Sequence, residues 1–197
     1  MRKFFLLEKA NNKGLTLIEI LISLAIFGII SAIFVTIFLT IVAGQIRNSS
    51  FRRCMQDGRY IFETTARNFR MGEIDYAYYK ENGMDLETEP MPIDILIIID
   101  QDGNQIEFLK EGENIKIRKE GQEDQLNQKS VRVKKVNFYI SPALDPFIIG
   151  NPAEQSRVTI SLVLESGSAT DIKKRSEITL QTTISSHLYK EKEEPES

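Results

Sequence analysis

Glu19 is the only charged residue in an apolar run of thirty residues, 15–44. A carboxylate near the centre of a bilayer costs about 2.5–3.5 kcal/mol on insertion scales, so a chain that keeps one there needs a reason for it. Other residues invite chemistry less strongly. Asp100, Asp102, Asn104 and Glu111 fall at positions one, three, five and twelve of an EF-hand-like calcium loop, but Gln105 stands where that loop needs glycine and the flanks read as strands. A solvated hairpin turn is the stronger reading there. Cys54 lies on an apolar helical stripe and reads as a packed small hydrophobe rather than a reactive thiol. His187 alternates with Gln181, Thr183 and Ser185 on a polar strand face, and without a second histidine it heads no triad. One Cys and one His exclude metal sites built from those residues and an internal disulfide framework. Gly112, Gly121, Gly150 and Gly167 stand singly, so no phosphate-cradling loop is present. The sequence predicts no catalytic residue and no cofactor.

The elements that must position these residues begin with a basic leader, residues 1–14, in which Arg2, Lys3, Lys9 and Lys13 oppose Glu8. The apolar region of a secretory signal peptide spans about 7–15 residues and precedes an A-x-A-like cut. Here the run is far longer, and the plausible cut lies before it. As a helix, residues 15–44 extend about 45 Å, more than the ~30 Å hydrocarbon core requires. Ile46, Phe51, Cys54/Met55, Gly58, Ile61/Phe62, Thr65 and Phe69 then recur every three to four residues, which predicts an amphipathic stalk over 45–72 ending at Gly72. An unbroken helix from 15 to 71 would be about 85 Å long. Arg47, Arg52, Arg53, Arg59, Arg67 and Arg70 lie mostly off the stripe, either as a solvated face or as a contact for anionic lipid or a partner. Because basic residues flank both ends of the apolar run, the positive-inside rule is silent on orientation.

From Glu73 onward the net charge is −9, a poor match to nucleic acid. The pattern there is of strands: 74–79, a near-continuous apolar run at 93–99 expected of a strand covered on both faces, a turn at Asp102-Gly103-Asn104, then 105–110 and 115–118. Residues 121–129 read as a polar loop. Over 131–140 the apolar phase slips from Val131/Val133 to Val136/Phe138/Ile140, which predicts a β-bulge at Lys134-Lys135. Val158, Ile160, Leu162 and Leu164 share one face of the next strand; Ile178, Leu180, Thr182, Ile184 and Leu188 share one face of the last. Residues 146–150 form an apolar insert in a polar loop, and 189–197 read as a frayed tail. The predicted class is α+β: a long N-terminal transmembrane helix continuing into a stalk packed on an antiparallel β-sheet domain, 73–188.

Lys13-Gly14-Leu15-Thr16-Leu17-Ile18-Glu19 and the apolar run behind it closely resemble the type IV prepilin signature, with Glu as the fifth mature residue. The resemblance implies that a prepilin peptidase cuts after Gly14 and that the new terminus, Leu15, is N-methylated. Glycine suits such a site because, lacking Cβ, it lets a protease approach the backbone. It implies further that Glu19 pairs with the methylated amine of a neighbouring subunit and sets axial register. Other pilins, an inner-membrane assembly platform and the membrane itself are the implied partners, with the chain single-pass in the cytoplasmic membrane and its N-terminus inside. Major pilins usually carry a helix-breaking proline in the membrane half; Thr36 stands there instead, with Gly28 as a weak point, which tilts the reading toward a minor pilin or pseudopilin. The order of strands resembles the J-type pseudopilins of type II secretion and the W-type minor pilins. The rival readings are a membrane-anchored binding domain that never polymerises, an anchored enzyme, for which no constellation of side chains is present, and a competence pseudopilin in DNA uptake.

Overall fold

A computed structural model describes residues 14, 16–84, 86, 92–146, 155–168 and 170–187. The predicted leader before Gly14, Leu15, the insert after Pro146, Leu188 and the predicted tail lie outside the described residues. Two compact units divide the chain, Met1–Ala43 and Gly44–Ser197.

The first unit consists, among the described residues, of the N-terminal part of helix α1 (Leu17–Arg70), which is long and apolar enough to cross a membrane. Nearly all its large side chains, including Leu21, Phe27, Phe34 and Phe38, are exposed. The hydroxyls of Ser23, Thr36 and Thr40 donate to the carbonyls of Glu19, Ala32 and Thr36, four residues back, at 2.8–2.9 Å. Polar side chains thereby satisfy themselves on their own helix, as an apolar solvent demands. The helix runs unbroken through Gly28 and Thr36.

In the second unit the rest of α1 buries one face: Ser50, Cys54, Asp57, Gly58, Ile61, Thr65 and Phe69. The spacing of three and four residues is that of a helix with one apolar stripe. The stripe differs from the sequence expectation at its start, because Ile46 and Phe51 are exposed while Ser50 and Asp57 are buried. Small or polar side chains occupy those places because sheet backbone or a loop amide comes closest there. A Cβ on Gly58 would stand 2.3 Å from Leu180 Cδ1, and one on Gly72 would stand 2.6 Å from the Ile99 carbonyl oxygen.

Two antiparallel sheets pack on this stripe where sequence had suggested one. The first is a five-stranded meander in the order β1 (Glu73–Ile74), β2 (Ile95–Ile99), β3 (Gln105–Glu111), β4 (Asn114–Lys119) and β5 (Gln122–Gln125). Leu96, Ile97 and Ile98 are fully buried in succession, as expected of a strand covered on both faces. The second sheet has the order β6 (Val131–Ser141), β7 (Arg157–Gly167) and β8 (Arg175–Ser185). Its inner face carries Val158, Ile160, Leu162 and Leu164, all fully buried. The β6–β7 register shifts between Val133 and Lys135, the predicted bulge, and leaves Lys134 and Lys135 both exposed. The sheets are stitched by an isolated bridge between Ile93 and Phe138 and by the buried Asn127. Asn127 accepts from the Ile115 N–H at 2.9 Å and donates to the Val131 carbonyl at 2.7 Å.

Two predicted elements are corrected. The strand expected at 74–79 ends after Ile74, and helix α2 (Tyr76–Glu81) follows, because Asp75 accepts from the Tyr78 N–H at 2.9 Å and caps it. Tyr79 then anchors α2 to β2: its buried hydroxyl donates to the Ile95 carbonyl and accepts from the Ile97 N–H. The polar loop expected at 121–129 contains β5, an edge strand exposed at every residue, so it carries no alternation to read. It is held instead by Glu123, which pairs with Lys116 and Arg118.

Gly167 closes the contact between α1 and the end of the second sheet. Its φ is +103°, and a Cβ there would stand 2.2 Å from the Lys174 carbonyl oxygen and 2.9 Å from Ser50 Oγ. Gly83, at φ +71°, has open space around it. Gly167→Ala is therefore expected to cost about 3 kcal/mol or more, backbone strain and overpacking each contributing about 1–3 kcal/mol. Gly83→Ala should cost only roughly 1–2 kcal/mol. Thermal or urea unfolding of the detergent-solubilised chain measures both, and equal losses would contradict the packing described.

Candidate functional site

The segment around Glu19 is built by the start of α1. Thr16 caps the helix: its Oγ1 accepts from the Glu19 N–H at 3.3 Å, and its carbonyl accepts from the Glu19 and Ile20 N–H groups at 3.0 and 3.2 Å. Glu19 thus stands at the third helical position behind a threonine cap, the T-x-x-E arrangement of a capping box. The residue types Thr16 and Glu19, three apart ahead of an apolar run, are the sequence signal for this cap. The N-terminal end of a helix also favours negative charge by about 0.3–1 kcal/mol. Glu19 is exposed, and among the described residues its carboxylate has no hydrogen-bond or ion-pair partner. Gly14 is exposed, with no heavy atom within 4 Å of where a Cβ would stand. Lys13 and Leu15 lie outside the described residues.

Residues 9–35 match a family model described as the prokaryotic N-terminal methylation motif. The segment carries that motif. It supports a type IV pilin or pseudopilin that is cleaved by a prepilin peptidase, anchored in a membrane and assembled with other pilins. No curated protein and no solved structure matches the chain. The sheets therefore add architecture, α+β with a long helix on antiparallel sheets.

The remaining sequence candidates are placed apart from this segment. Asp100, Asp102 and Asn104 share the β2–β3 turn, where Asp100 Oδ1 accepts from the Asp102 and Asn104 N–H groups at 3.0 and 2.8 Å. The other Asp100 oxygen pairs with Lys119 at 2.8 Å, which with the backbone bonds holds its carboxyl below the ordinary range. Glu111 lies at the far end of β3 and pairs with Lys116, so the four residues are not brought together. Among the described residues no group of three or more His, Cys, Asp and Glu is arranged to hold a metal ion. Cys54 is fully buried, and burial, then Asp57 and Glu165, push its thiol up to about 11. His187 is exposed, and its backbone N–H donates to the Arg70 carbonyl at 3.1 Å.

Two buried carboxylates escaped sequence reading. Glu165, on β7, is surrounded by three cations: Arg132 Nε at 2.9 Å, Arg175 Nη1 at 3.5 Å and Lys134 Nζ at 3.6 Å. Burial raises its carboxyl, but the Arg132 hydrogen bond and the three positive charges outweigh that and hold it below the ordinary range. Asp57, on α1, accepts from the Gln128 N–H at 2.8 Å. There desolvation wins over the hydrogen bond, and the carboxyl is raised. Together with Tyr60, Gln125, Leu126 and Lys129 it lines an open groove between α1 and the β5–β6 connection.

Asp57 has a definite pH signature. Between the ordinary carboxylate pKa and the raised folded value, the folded chain holds a proton that the unfolded chain has released. Its contribution to stability therefore falls as pH rises through that window. Asp57→Asn keeps an oxygen to accept from Gln128 and removes the charge. The expected result is a higher unfolding midpoint at pH 7, with the gain shrinking as pH approaches ~4. A lower midpoint at neutral pH would show that the ionised form is the favoured one.

Proposed function

We propose that this chain is a minor pilin or pseudopilin, made as a prepilin, cut after Gly14 on the cytoplasmic side and N-methylated at Leu15. It spans the cytoplasmic membrane once with its N-terminus inside, and is then drawn into a pilus or pseudopilus, where it primes assembly or sits near the tip. The inner-membrane assembly platform and other pilins are its partners. The observation that carries this reading is the methylation-motif match over residues 9–35, which includes Gly14, Leu15 and Glu19. The unbroken helix through Thr36 and the strand order, a meander followed by a three-stranded sheet, support a minor rather than a major subunit.

Glu19 supplies the register. Its carboxylate has no partner among the described residues, and an intermolecular one is at hand in the methylated amine of Leu15 on the next subunit. At about 4 Å and an effective dielectric of ~20 such a pair is worth about 4 kcal/mol. That exceeds the ~2.5–3.5 kcal/mol cost of placing the carboxylate in the bilayer. A cap alone would not need the charge.

Intact-mass measurement of the membrane-extracted chain, expressed with a prepilin peptidase, tests the processing: the mature chain should begin at a methylated Leu15, and Gly14→Val should leave it beginning at Met1. Glu19→Gln keeps the capping geometry but removes the charge. It should insert and be processed normally yet enter filaments at least about tenfold less, a loss of ~1.4 kcal/mol or more. A wild-type chain that keeps Met1 would favour an anchored domain that does not polymerise.

A further inference from the structure

The end of the second unit nearest the apolar segment in sequence is chemically unlike the rest of that unit. Ser50 lies six residues beyond Gly44, about 9 Å of helix rise. The interfacial layer outside each face of the hydrocarbon core is roughly 5–8 Å deep. Ser50 lies against Gly167, and a short turn at Ile172–Lys174 precedes β8. The backbone of that turn is fixed by Gly167, which is wedged against both the Lys174 carbonyl and Ser50, and by Asp171, which accepts from the Lys173 N–H at 3.0 Å.

Ile172 stands on this turn and is 74% exposed. Among the described residues from Glu73 onward, the next most exposed large apolar side chain is Leu144, at 42%. Lys173 and Lys174 follow Ile172 directly. Beside them Arg132, Lys134 and Arg175 crowd the single carboxylate of Glu165, and Arg132 also reaches the Gly167 carbonyl at 3.4 Å. Among the described residues, carboxylates at this end include Glu165, shared by three cations; Asp171, which pairs with Lys174 at 3.2 Å; Glu177 on β8; and the exposed Glu113, whose carbonyl accepts from the Val133 N–H beside Lys134. On α1, Arg47, Arg52 and Arg53 add exposed positive charge at the height of Ser50, with no acidic residue between Gly44 and Gln56. This cationic end belongs to a chain whose residues from Glu73 onward carry −9.

We infer that this end is a lipid-docking surface: the turn bearing Ile172, Lys173 and Lys174, with Lys134 and the arginines of the adjacent helix, rests on anionic phospholipid headgroups, and Ile172 enters the interface. The inference rests on the reading that residues 15–44 lie in the membrane. Its physics is that of a charged domain with two poles. Anionic headgroups attract the basic end within about a Debye length of the surface, ~8–10 Å, and repel the acidic remainder, so the field holds the unit in one orientation. An exposed isoleucine flanked by lysines gives that end both an apolar group to bury and charges to steer it. In the anchored state this contact would hold the outer unit down on the bilayer; leaving the membrane for a filament would break it.

The full-length chain reconstituted in liposomes tests this. Ile172→Cys can be labelled with a fluorophore selectively, since Cys54 is buried, and lipid carrying a headgroup quencher then reports contact. Asp102→Cys, in the β2–β3 turn, serves as the control position. In bilayers of phosphatidylcholine with about one-third phosphatidylglycerol, the label at 172 should be quenched at least about twofold more than the label at 102. That difference should fall in pure phosphatidylcholine, in ~1 M salt, where the Debye length is only ~3 Å, and in the Lys173→Glu/Lys174→Glu variant. Equal quenching at 172 and 102 in the anionic bilayer, with the chain co-floating with the liposomes, overturns the inference alone and leaves this face to a protein partner. A chain that does not float with the liposomes overturns the membrane reading as well.

Discussion

One helix has to satisfy two solvents, and everything else in the chain follows from how it changes from one to the other. Up to residue 43 its large side chains point apolar surface in every direction. From Ser50 onward only a stripe is buried, and that stripe alternates bulk with closeness: Cys54, Ile61 and Phe69 fill the interior, while Ser50 and Gly58 let Gly167 and Leu180 approach. Two sheets can share one helix because its buried face is narrow and mixes small and large side chains along its length. The fully buried aliphatic rows of β2 and β7 then have a common surface to pack on.

Carboxylates in this molecule show the same chemistry answered in different ways. Glu165 is buried but satisfied by Arg132, Arg175 and Lys134, so ionisation is favoured where it sits. Asp57 has one backbone amide and loses more to desolvation than it gains. Glu19 stands on an apolar helix with no counter-charge of its own among the described residues. On the reading proposed above, the cost of carrying that carboxylate in an apolar medium is recovered when it meets the amine of a neighbouring subunit.

The architecture was legible to the extent that burial writes a period into the chain. The continuous apolar run of β2, the alternation of β7 and the phase slip at Lys134-Lys135 each betray their place because side chains on buried faces must be apolar. The motif around Gly14 and Glu19 was legible for a different reason, its residue order. What could not be read was decided by particular contacts that leave no period in the chain. β5 has no buried side chain, so nothing in Gln122–Gln125 distinguishes it from a loop; its partners are charges on β4. Tyr76–Glu81 looks like a strand by composition, yet Asp75 and the reach of the Tyr79 hydroxyl to β2 make it a helix. Ser50 and Asp57 are polar residues on a buried face, and only the positions of Gly167 and Gln128 explain them.

The back-bonded hydroxyls of Ser23, Thr36 and Thr40 have a consequence for any bundle of these helices. With their protons turned onto their own carbonyls, they offer a neighbour almost pure hydrocarbon, so little distinguishes one azimuth from another. The ionisable handle is confined to one level, near the helix start. If, as proposed, Glu19 sets the register, such a rod would be indexed in height by a single charge while remaining free to swivel about its long axis until contacts between the sheets choose its heading.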